Sequence, residues 1–161
     1  MKTVTGFAPV ADAACRTLIL GTAPSELSLG EGFYYAHPRN AFWRVLADAH
    51  ARPIPRTREE KIDLALSCRV ALWDVLRACE REGSLDAAIR APQPNDFSAF
   101  FARYAGIGRV LFNGATAQAL FFRLCPGALG DRTSARLPST SPACTMPYAQ
   151  KLALWRKELL L

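Results

Sequence analysis

The sequence has few of the residues that build metal sites, disulfide frameworks or membrane spans. Its five cysteines lie more than ten residues from one another along the chain, and it has only two histidines. No C-x-x-C pair is therefore present to hold zinc or an iron–sulfur cluster. We expect the cysteines to act as small buried residues in a reducing cytoplasm.

Long apolar runs are also missing. No segment approaches the roughly 20 apolar residues that cross a bilayer, which excludes a transmembrane helix. Gly6, Pro9 and Asp12 interrupt the stretch in which a secretory signal has an unbroken apolar segment. We therefore expect neither export nor a membrane partner.

Lysine is scarce among the basic residues. Of the 20 basic side chains, 16 are arginine, which suits bidentate contacts with phosphate groups. The net charge of +6 arises wholly in residues 97–161, which hold eight basic and two acidic side chains, whereas residues 1–96 are balanced. An anionic partner and a genome rich in arginine codons explain this composition equally well.

What is present is enough for one globular domain. The chain has 161 residues, of which 50% are hydrophobic and 21% are charged. This length suffices to bury a core, and no internal repeat or linker divides it. Residues 1–161 are therefore predicted to form a single domain.

Short apolar runs that indicate buried strands alternate with helical patterns. Strands are predicted at 17–20, at 70–73, at 109–112 and briefly from Arg136. Helices are predicted from Pro38, from the capping-box pattern at Thr57, from Asp96, after Gly114 and from Pro147. Residues 76–95 are expected to be irregular, with one short helix. This alternation predicts an α/β fold, a three-layer α/β/α sandwich with a central, mostly parallel four-stranded sheet.

Three unusual segments follow predicted strands, where ligands bind in parallel sheets. They are the loop at 21–37, the Asn113-Gly114 pair and the segment LPSTSP at 137–142. The rings of Tyr34 and Tyr35 in the first loop serve either to pack the loop or to stack on a ligand. Asn40 is expected in the first turn of the helix that begins at Pro38. Asn113 fits either a turn or a polar contact.

The common catalytic motifs are absent. Ser25, His37 and Asp74 suggest a hydrolase triad only superficially, because the sequence has no G-x-S-x-G turn. It also has no P-loop and no G-x-G-x-x-G fingerprint, so nucleotide-cofactor binding is not predicted.

The run LILGTAPSELSLGEGFYYAHPRNAFWRVL, with VLFNG and LPSTSPA downstream, resembles the uracil-DNA glycosylase superfamily. The similarity spans residues 6–155 and is strongest to the hypoxanthine-DNA glycosylase group. Mismatch-specific uracil glycosylases share AHP-x-N-x-FW but carry G-I-N-P-G after the first strand. Ala23 occupies the position of that asparagine here, and the aspartate of the uracil enzymes is also missing. This departure favours the hypoxanthine group.

The resemblance implies a monofunctional glycosylase that flips a deaminated base out of DNA and hydrolyses its N-glycosidic bond. The expected substrate is deoxyinosine, and no cofactor or metal is expected. Asn40, in the HPRN string, is implied to position the attacking water. Base-binding residues are implied at Tyr35, Asn113, Thr22, Ala23, Tyr34 and His37. Residues that contact the DNA backbone are implied at Pro138, Ser139, Thr140 and Ser141.

The implied partner is double-stranded DNA containing a deaminated base, bound by a monomer. The implied location is the cytoplasm, in association with a bacterial type of nucleoid. Two alternatives stay open. One is a mismatch-specific uracil or thymine glycosylase, and the other is a non-catalytic protein of the same fold that binds DNA or nucleotides.

Overall fold

Four parallel strands form the central sheet in the computed structural model of the protein, which describes residues 2–161. In chain order these strands are β2 (Thr17–Gly21), β3 (Val70–Asp74), β6 (Arg109–Asn113) and β7 (Thr133–Leu137). Their order across the sheet is β3-β2-β6-β7. All three pairings are parallel, with Thr17 opposite both Val70 and Arg109. The four predicted strands are confirmed.

Alternation of side chains along these strands creates two separate cores. Leu18 and Leu20 face one core, whereas Ile19 between them faces the other. Val110 and Leu111 divide in the same way. Because successive side chains point to opposite faces of a sheet, a continuous apolar strand must be covered on both sides.

Helices supply the two outer layers. The helices are α1 (Glu26–Glu31), α2 (Phe42–Ala49), α3 (Arg58–Ser67), α4 (Phe97–Arg103), α5 (Ala115–Leu124) and α6 (Tyr148–Leu159). Helices α4 and α5 pack on the face of Leu18, and helices α2, α3 and α6 pack on the face of Ile19. The predicted three-layer sandwich is confirmed.

The helix starts at Thr57 and Asp96 are confirmed by their capping side chains. Thr57 accepts a hydrogen bond from the Glu60 amide, and Asp96 accepts one from the Ala99 amide. The predicted start of α2 at Pro38 is wrong, because the helix begins at Phe42. The residue before it, Ala41, donates its amide to the Thr140 carbonyl, which holds this stretch in the loop.

Residues 76–95 were expected to be irregular, and this expectation is wrong. Strand β4 (Leu76–Arg81) lies between β1 (Lys2–Thr5) and β5 (Arg90–Pro94) in a second, antiparallel sheet. One short helical turn, Asp86–Ala88, joins β4 to β5. The β1 partner is about 75 residues away along the chain, so local sequence patterns do not reveal the pairing. Both prolines of this segment lie in the edge strand β5, where proline is tolerated.

Candidate active site

A cavity of about 340 Å³ opens at the carboxyl edge of the parallel sheet, where β2, β3 and β6 end. Nine of the eleven residues expected to bind substrate or DNA line it, and these are Thr22, Ala23, Tyr34, Tyr35, Asn40, Asn113, Ser139, Thr140 and Ser141. His37 and Pro138 are not among the lining residues. The cavity size is in the range of small-molecule sites.

Gly21 ends strand β2 at the floor of the cavity, where its lack of a side chain is required. A Cβ atom at this position would lie 2.6 Å from Asp74 Oδ1 and 3.1 Å from Tyr35 Oη. These distances are shorter than ordinary contacts of a side-chain carbon. The glycine therefore leaves room over the backbone for both the Asp74 carboxyl group and the Tyr35 hydroxyl group.

The two tyrosines of the loop after β2 have different environments. Tyr34 is buried, its hydroxyl donates to the Ala8 carbonyl at 2.7 Å, and its own carbonyl accepts from Trp43 Nε1 at 3.1 Å. These contacts anchor the loop to the protein body. The Tyr35 ring stacks on Phe42 with 4.2 Å between ring centroids, so Phe42 covers one of its faces.

Tyr35 is also held in an unfavourable backbone conformation. Its φ angle is 54°, in the left-handed region that non-glycine residues seldom adopt. Strain of this kind costs roughly 1–3 kcal/mol and is concentrated at functional sites. Its buried hydroxyl has no hydrogen bond of ordinary geometry within residues 2–161, although the Asn113 side chain lies near enough to oppose the rise of its pKa. Burial, and then the charge of Asp74, raise the pKa of this hydroxyl, which keeps it protonated as a donor.

Asn40 lies two residues before helix α2, rather than in its first turn as the sequence suggested. Its Oδ1 atom accepts a hydrogen bond from the Phe42 amide at 3.0 Å. Because a backbone N–H group can only donate, this contact identifies the oxygen of the Asn40 side chain. The amide nitrogen and the second lone pair of the oxygen are left for a ligand in the cavity.

His37 and Pro138 do not line the cavity, but their hydrogen bonds stabilise the loop after β2 and the segment at 138–142. His37 Nδ1 accepts from the Arg39 amide at 3.0 Å, and the His37 carbonyl accepts from the Asn40 amide at 2.9 Å. The Pro138 carbonyl accepts from Trp155 Nε1 at 2.8 Å. Both residues shape the backbone next to the lining residues.

Asn113 and Thr140 form a buried pair that joins β6 to the PSTSP loop, residues 138–142. Asn113 Nδ2 donates to Thr140 Oγ1, and the Thr140 amide donates to Asn113 Oδ1, both at 2.9 Å. The orientation of the Asn113 amide is thereby fixed. These two contacts use one N–H of Asn113 Nδ2 and one lone pair of Asn113 Oδ1, on the side of the amide where donor and acceptor point in the same direction. One N–H and one lone pair of Asn113 are left for a ligand.

Asp74 also lines the cavity. From the sequence it was a member of the discounted hydrolase triad and the alternative to Asn40 as the catalytic residue. It ends strand β3 and is 4% exposed. Its carbonyl accepts from Asn95 Nδ2 at 2.8 Å, whereas no side chain of residues 2–161 donates to its carboxyl group. Burial, and then the charge of Asp86, raise the pKa of Asp74 to about 7, although Arg81 opposes the shift. A single acidic residue at the end of the apolar run VALWD was the available signal in the sequence.

Arg81 stabilises the side of the cavity near Asp74 through hydrogen bonds to backbone carbonyls. It is buried, with Nε donating to the Gly83 carbonyl at 2.8 Å and Nη2 donating to the Pro24 carbonyl. Its Nη1 atom has no hydrogen-bond partner within residues 2–161. These bonds connect β4 to the loop after β2, so the second sheet fixes one side of the cavity.

The basic residues of the C-terminal part do not gather around the cavity. Arg109 begins β6 at the opposite, amino edge of the sheet and pairs with Glu158 at 3.0 Å. Arg103 and Arg123 lie in the last turns of α4 and α5, near that same edge. Lys151 is buried and donates to the Cys144 carbonyl. The charge excess of residues 97–161 therefore does not mark the edge at which the cavity opens.

Residues 2–161 show neither a metal-binding cluster nor a membrane-spanning helix. No group of three or more histidine, cysteine, aspartate or glutamate side chains there is arranged to hold a metal ion. No helix in that range combines the length and the apolar character needed to cross a membrane.

Comparison with known proteins relates most of the chain to DNA glycosylases. The profile of the uracil DNA glycosylase superfamily matches residues 8–160. The hypoxanthine DNA glycosylase of Methanosarcina barkeri is 34% identical over 110 residues, which cover 68% of this chain and 70% of that protein. The protein of the same name from Methanosarcina acetivorans is 36% identical over 113 residues, covering 70% and 72%.

A solved structure matches nearly the whole fold. The solution NMR structure of a candidate uracil DNA glycosylase from Methanosarcina acetivorans superposes with a TM-score of 0.84 and 32% sequence identity. The match covers 98% of this chain and 97% of that one. The predictions of the family, the fold and the class of enzyme are confirmed: the chain belongs to the uracil DNA glycosylase superfamily.

Proposed function

We propose that this protein removes hypoxanthine from deoxyinosine in double-stranded DNA by hydrolysis of the N-glycosidic bond. The observation that carries the proposal is the cavity at the carboxyl edge, where Tyr35, Asn40 and Asn113 converge. The names of the two Methanosarcina relatives support the same substrate. The reaction is proposed to need no metal and no cofactor.

A base inside a duplex is out of reach, so the nucleotide must rotate into the cavity. Unstacking costs a few kcal/mol, and least for a mispaired base. The ring face of Tyr35 that Phe42 leaves uncovered is available to stack on the base. Stacking of this kind recovers roughly 1–3 kcal/mol per base.

Asn40 is proposed to hold the attacking water. Breaking the N-glycosidic bond develops positive charge on the sugar, and a water placed at that carbon needs an acceptor to orient it. The Phe42 amide fixes the Asn40 oxygen, which keeps a lone pair for this purpose. Ala23, across the cavity, has no polar side-chain atom that can do so.

The PSTSP loop is proposed to hold the DNA backbone. Ser139 Oγ accepts from the Ser141 amide at 3.1 Å, and Ser141 Oγ accepts from the Ala143 amide at 3.2 Å. Because each hydroxyl oxygen is an acceptor in these turns, its own proton remains for donation to a phosphate oxygen. Thr140 points inward to Asn113 and fixes the loop.

The expected product is an abasic site in an intact strand. A glycosylase that also cuts the strand uses an amine to form a Schiff base with the sugar. No lysine is among the described residues that line the cavity. We further propose that a monomer with one domain does this work, in the compartment that holds the genome.

The test compares duplexes that contain one deoxyinosine or one deoxyuridine, incubated with the protein in EDTA and then treated with alkali. We expect alkali-dependent scission at deoxyinosine, at a higher rate than at deoxyuridine. Faster scission at deoxyuridine would favour the mismatch-specific uracil glycosylase. Tight binding with both strands intact would favour a non-catalytic binder. Activity that EDTA removes and a divalent ion restores would contradict the metal-free reaction.

A further inference from the structure

The proposed function leaves the Asp74 carboxyl group without a role, although it lines the cavity. The side chain is 4% exposed, and no N–H or O–H group of residues 2–161 donates to its carboxylate. The carboxyl group is not among the fully enclosed side-chain groups that lack a partner, so it is open to the cavity that it lines. Because Asp74 lies beside Gly21 and Tyr35, the oxygens of its carboxyl group can form hydrogen bonds with a ligand in the cavity.

The neighbours of Asp74 do not neutralise it by an ion pair. Arg81, from β4, uses its guanidinium on the carbonyls of Pro24 and Gly83. Asp86, from the turn between β4 and β5, adds a second negative charge that faces Asp74. The loop after β2 contributes the hydroxyls of Tyr34 and Tyr35, which are uncharged because their pKa values are raised.

This environment favours the protonated acid. Burial and the charge of Asp86 raise the pKa of Asp74 to about 7, so much of the group carries a proton near neutral pH. A general acid works best when its pKa is near the pH of the reaction. The carboxyl group thus has a proton available where a purine base is proposed to sit.

We propose that Asp74 is a catalytic residue that donates this proton to N7 of the hypoxanthine as the base leaves. The inference rests on the proposed function. The C1′–N9 bond breaks and its electron pair goes to the purine, while the Asp74 proton binds to N7. The oxygen of the Asn40-held water bonds to C1′, and the proton that this water loses goes to the solvent. Asp74 then regains a proton from the solvent, and neutral hypoxanthine leaves.

This role distinguishes a purine from a pyrimidine. The five-membered ring of hypoxanthine offers N7 as a proton acceptor, whereas uracil has no such ring. A positioned general acid contributes a factor of roughly 10² to 10⁴ to the rate. The increase in rate that Asp74 provides should therefore be large for deoxyinosine and small for deoxyuridine.

The experiment measures single-turnover rates on a deoxyinosine duplex between pH 5 and pH 9. For the unmodified protein we expect the rate to fall as the pH rises through about 7, because the acid form is lost. Asp74→Asn keeps the size of the side chain but has no acidic proton. We expect this variant to be at least 100-fold slower at pH 6 and to lose the decline near pH 7. Asp96→Asn, the same change at the cap of α4, should keep the rate and the pH profile.

A substrate analogue provides the second measurement, which does not require that a variant folds. In 7-deazadeoxyinosine a C–H group replaces N7, so no proton can be accepted there. We expect the unmodified protein to lose activity on this analogue, and Asp74→Asn to cause no further loss. Release of hypoxanthine by Asp74→Asn at an unchanged rate, or release of 7-deazahypoxanthine from the analogue at the rate seen for hypoxanthine, would overturn the role of Asp74 and leave the proposed function intact. Failure of the unmodified protein to release hypoxanthine would overturn both.

Discussion

Asn40 is the residue on which the proposed chemistry depends most. The sequence singled it out, and the structure adds that the Phe42 amide holds its oxygen in place. Asn40→Ala should slow single-turnover cleavage of deoxyinosine by about 100-fold or more while the affinity for the duplex stays nearly the same. This is the pattern expected when an interaction made mainly in the transition state is lost.

The matched control is Gln150→Ala, which removes an exposed amide from α6. It should leave both the rate and the affinity unchanged. If Asn40→Ala retains nearly the full rate, another group orients the water and the assignment of Asn40 is incorrect.

The raised pKa of Asp74 should also make the free energy of unfolding depend on pH. Its pKa is raised from 3.8 to about 7, so the folded state keeps a proton that the unfolded chain loses above pH 4. The free energy of unfolding therefore falls as the pH rises from 4 to 7, by as much as about 4 kcal/mol, and then stays level. Asp74→Asn removes this loss.

The measurement is thermal unfolding at pH 5 and at pH 8. The melting temperature of Asp74→Asn relative to the unmodified protein should be higher at pH 8 than at pH 5. An equal difference at both values would mean that the carboxyl group titrates in its ordinary range.

The residues differ in how far the sequence identified them. Asn40, Tyr35 and Asn113 belong to motifs or strand ends, and the structure brings all three to one cavity. The pairing of Asn113 with Thr140 was not predictable, because 27 residues separate the two. The same holds for Arg81, whose burial depends on how β4 packs against the loop after β2.

At the scale of elements, the loop between β2 and α2 positions the proposed base-binding ring. Tyr34 anchors this loop, and Tyr35 takes a left-handed φ angle that places its ring on Phe42. Tyr35→Ala should weaken binding of a deoxyinosine duplex by about 5- to 150-fold, which corresponds to the roughly 1–3 kcal/mol expected for lost stacking.

Fluorescence anisotropy with a duplex that contains deoxyinosine checks this prediction. An undamaged duplex serves as the reference, because Tyr35 should contribute little when no base is flipped. Equal weakening for both duplexes would show that Tyr35 acts on the fold of the loop and not on the base.

The parallel sheet was predictable and the antiparallel sheet was not. Strands β2, β3 and β6 are short apolar runs, and this pattern indicates strands that are buried on both faces of the sheet. Strand β4 buries only Leu76, Cys79 and Arg81 and pairs with β1 over nearly half the length of the chain, so its pattern resembles a polar loop. The prediction failed where pairing over a long sequence distance decides the structure.

At the scale of the molecule, the charge distribution determines how DNA binding should depend on salt. Arg109 pairs with Glu158, and Arg123 lies near the edge away from the cavity. Exposed basic residues toward the carboxyl edge of the sheet include Arg39, next to Asn40 in the chain, and Arg136, near the end of β7; neither lines the cavity. About two to four phosphate contacts would give a slope of log K against log salt of about −2 to −4.

Two matched variants distinguish DNA binding at the carboxyl edge of the parallel sheet from binding at its amino edge. Arg39→Ala should reduce the slope by about one, whereas Arg123→Ala should leave it unchanged, with affinity measured between 50 and 300 mM salt. A larger effect of Arg123→Ala would place the duplex at the edge away from the cavity.

The central claim is that the cavity releases hypoxanthine as a free base. The most direct test incubates a deoxyinosine duplex with excess protein, then quantifies free hypoxanthine by chromatography and abasic sites by alkaline scission. We expect equal amounts of free base and abasic sites, with no strand break before alkali. Strand breaks without free hypoxanthine, or no free hypoxanthine at all, would contradict this claim.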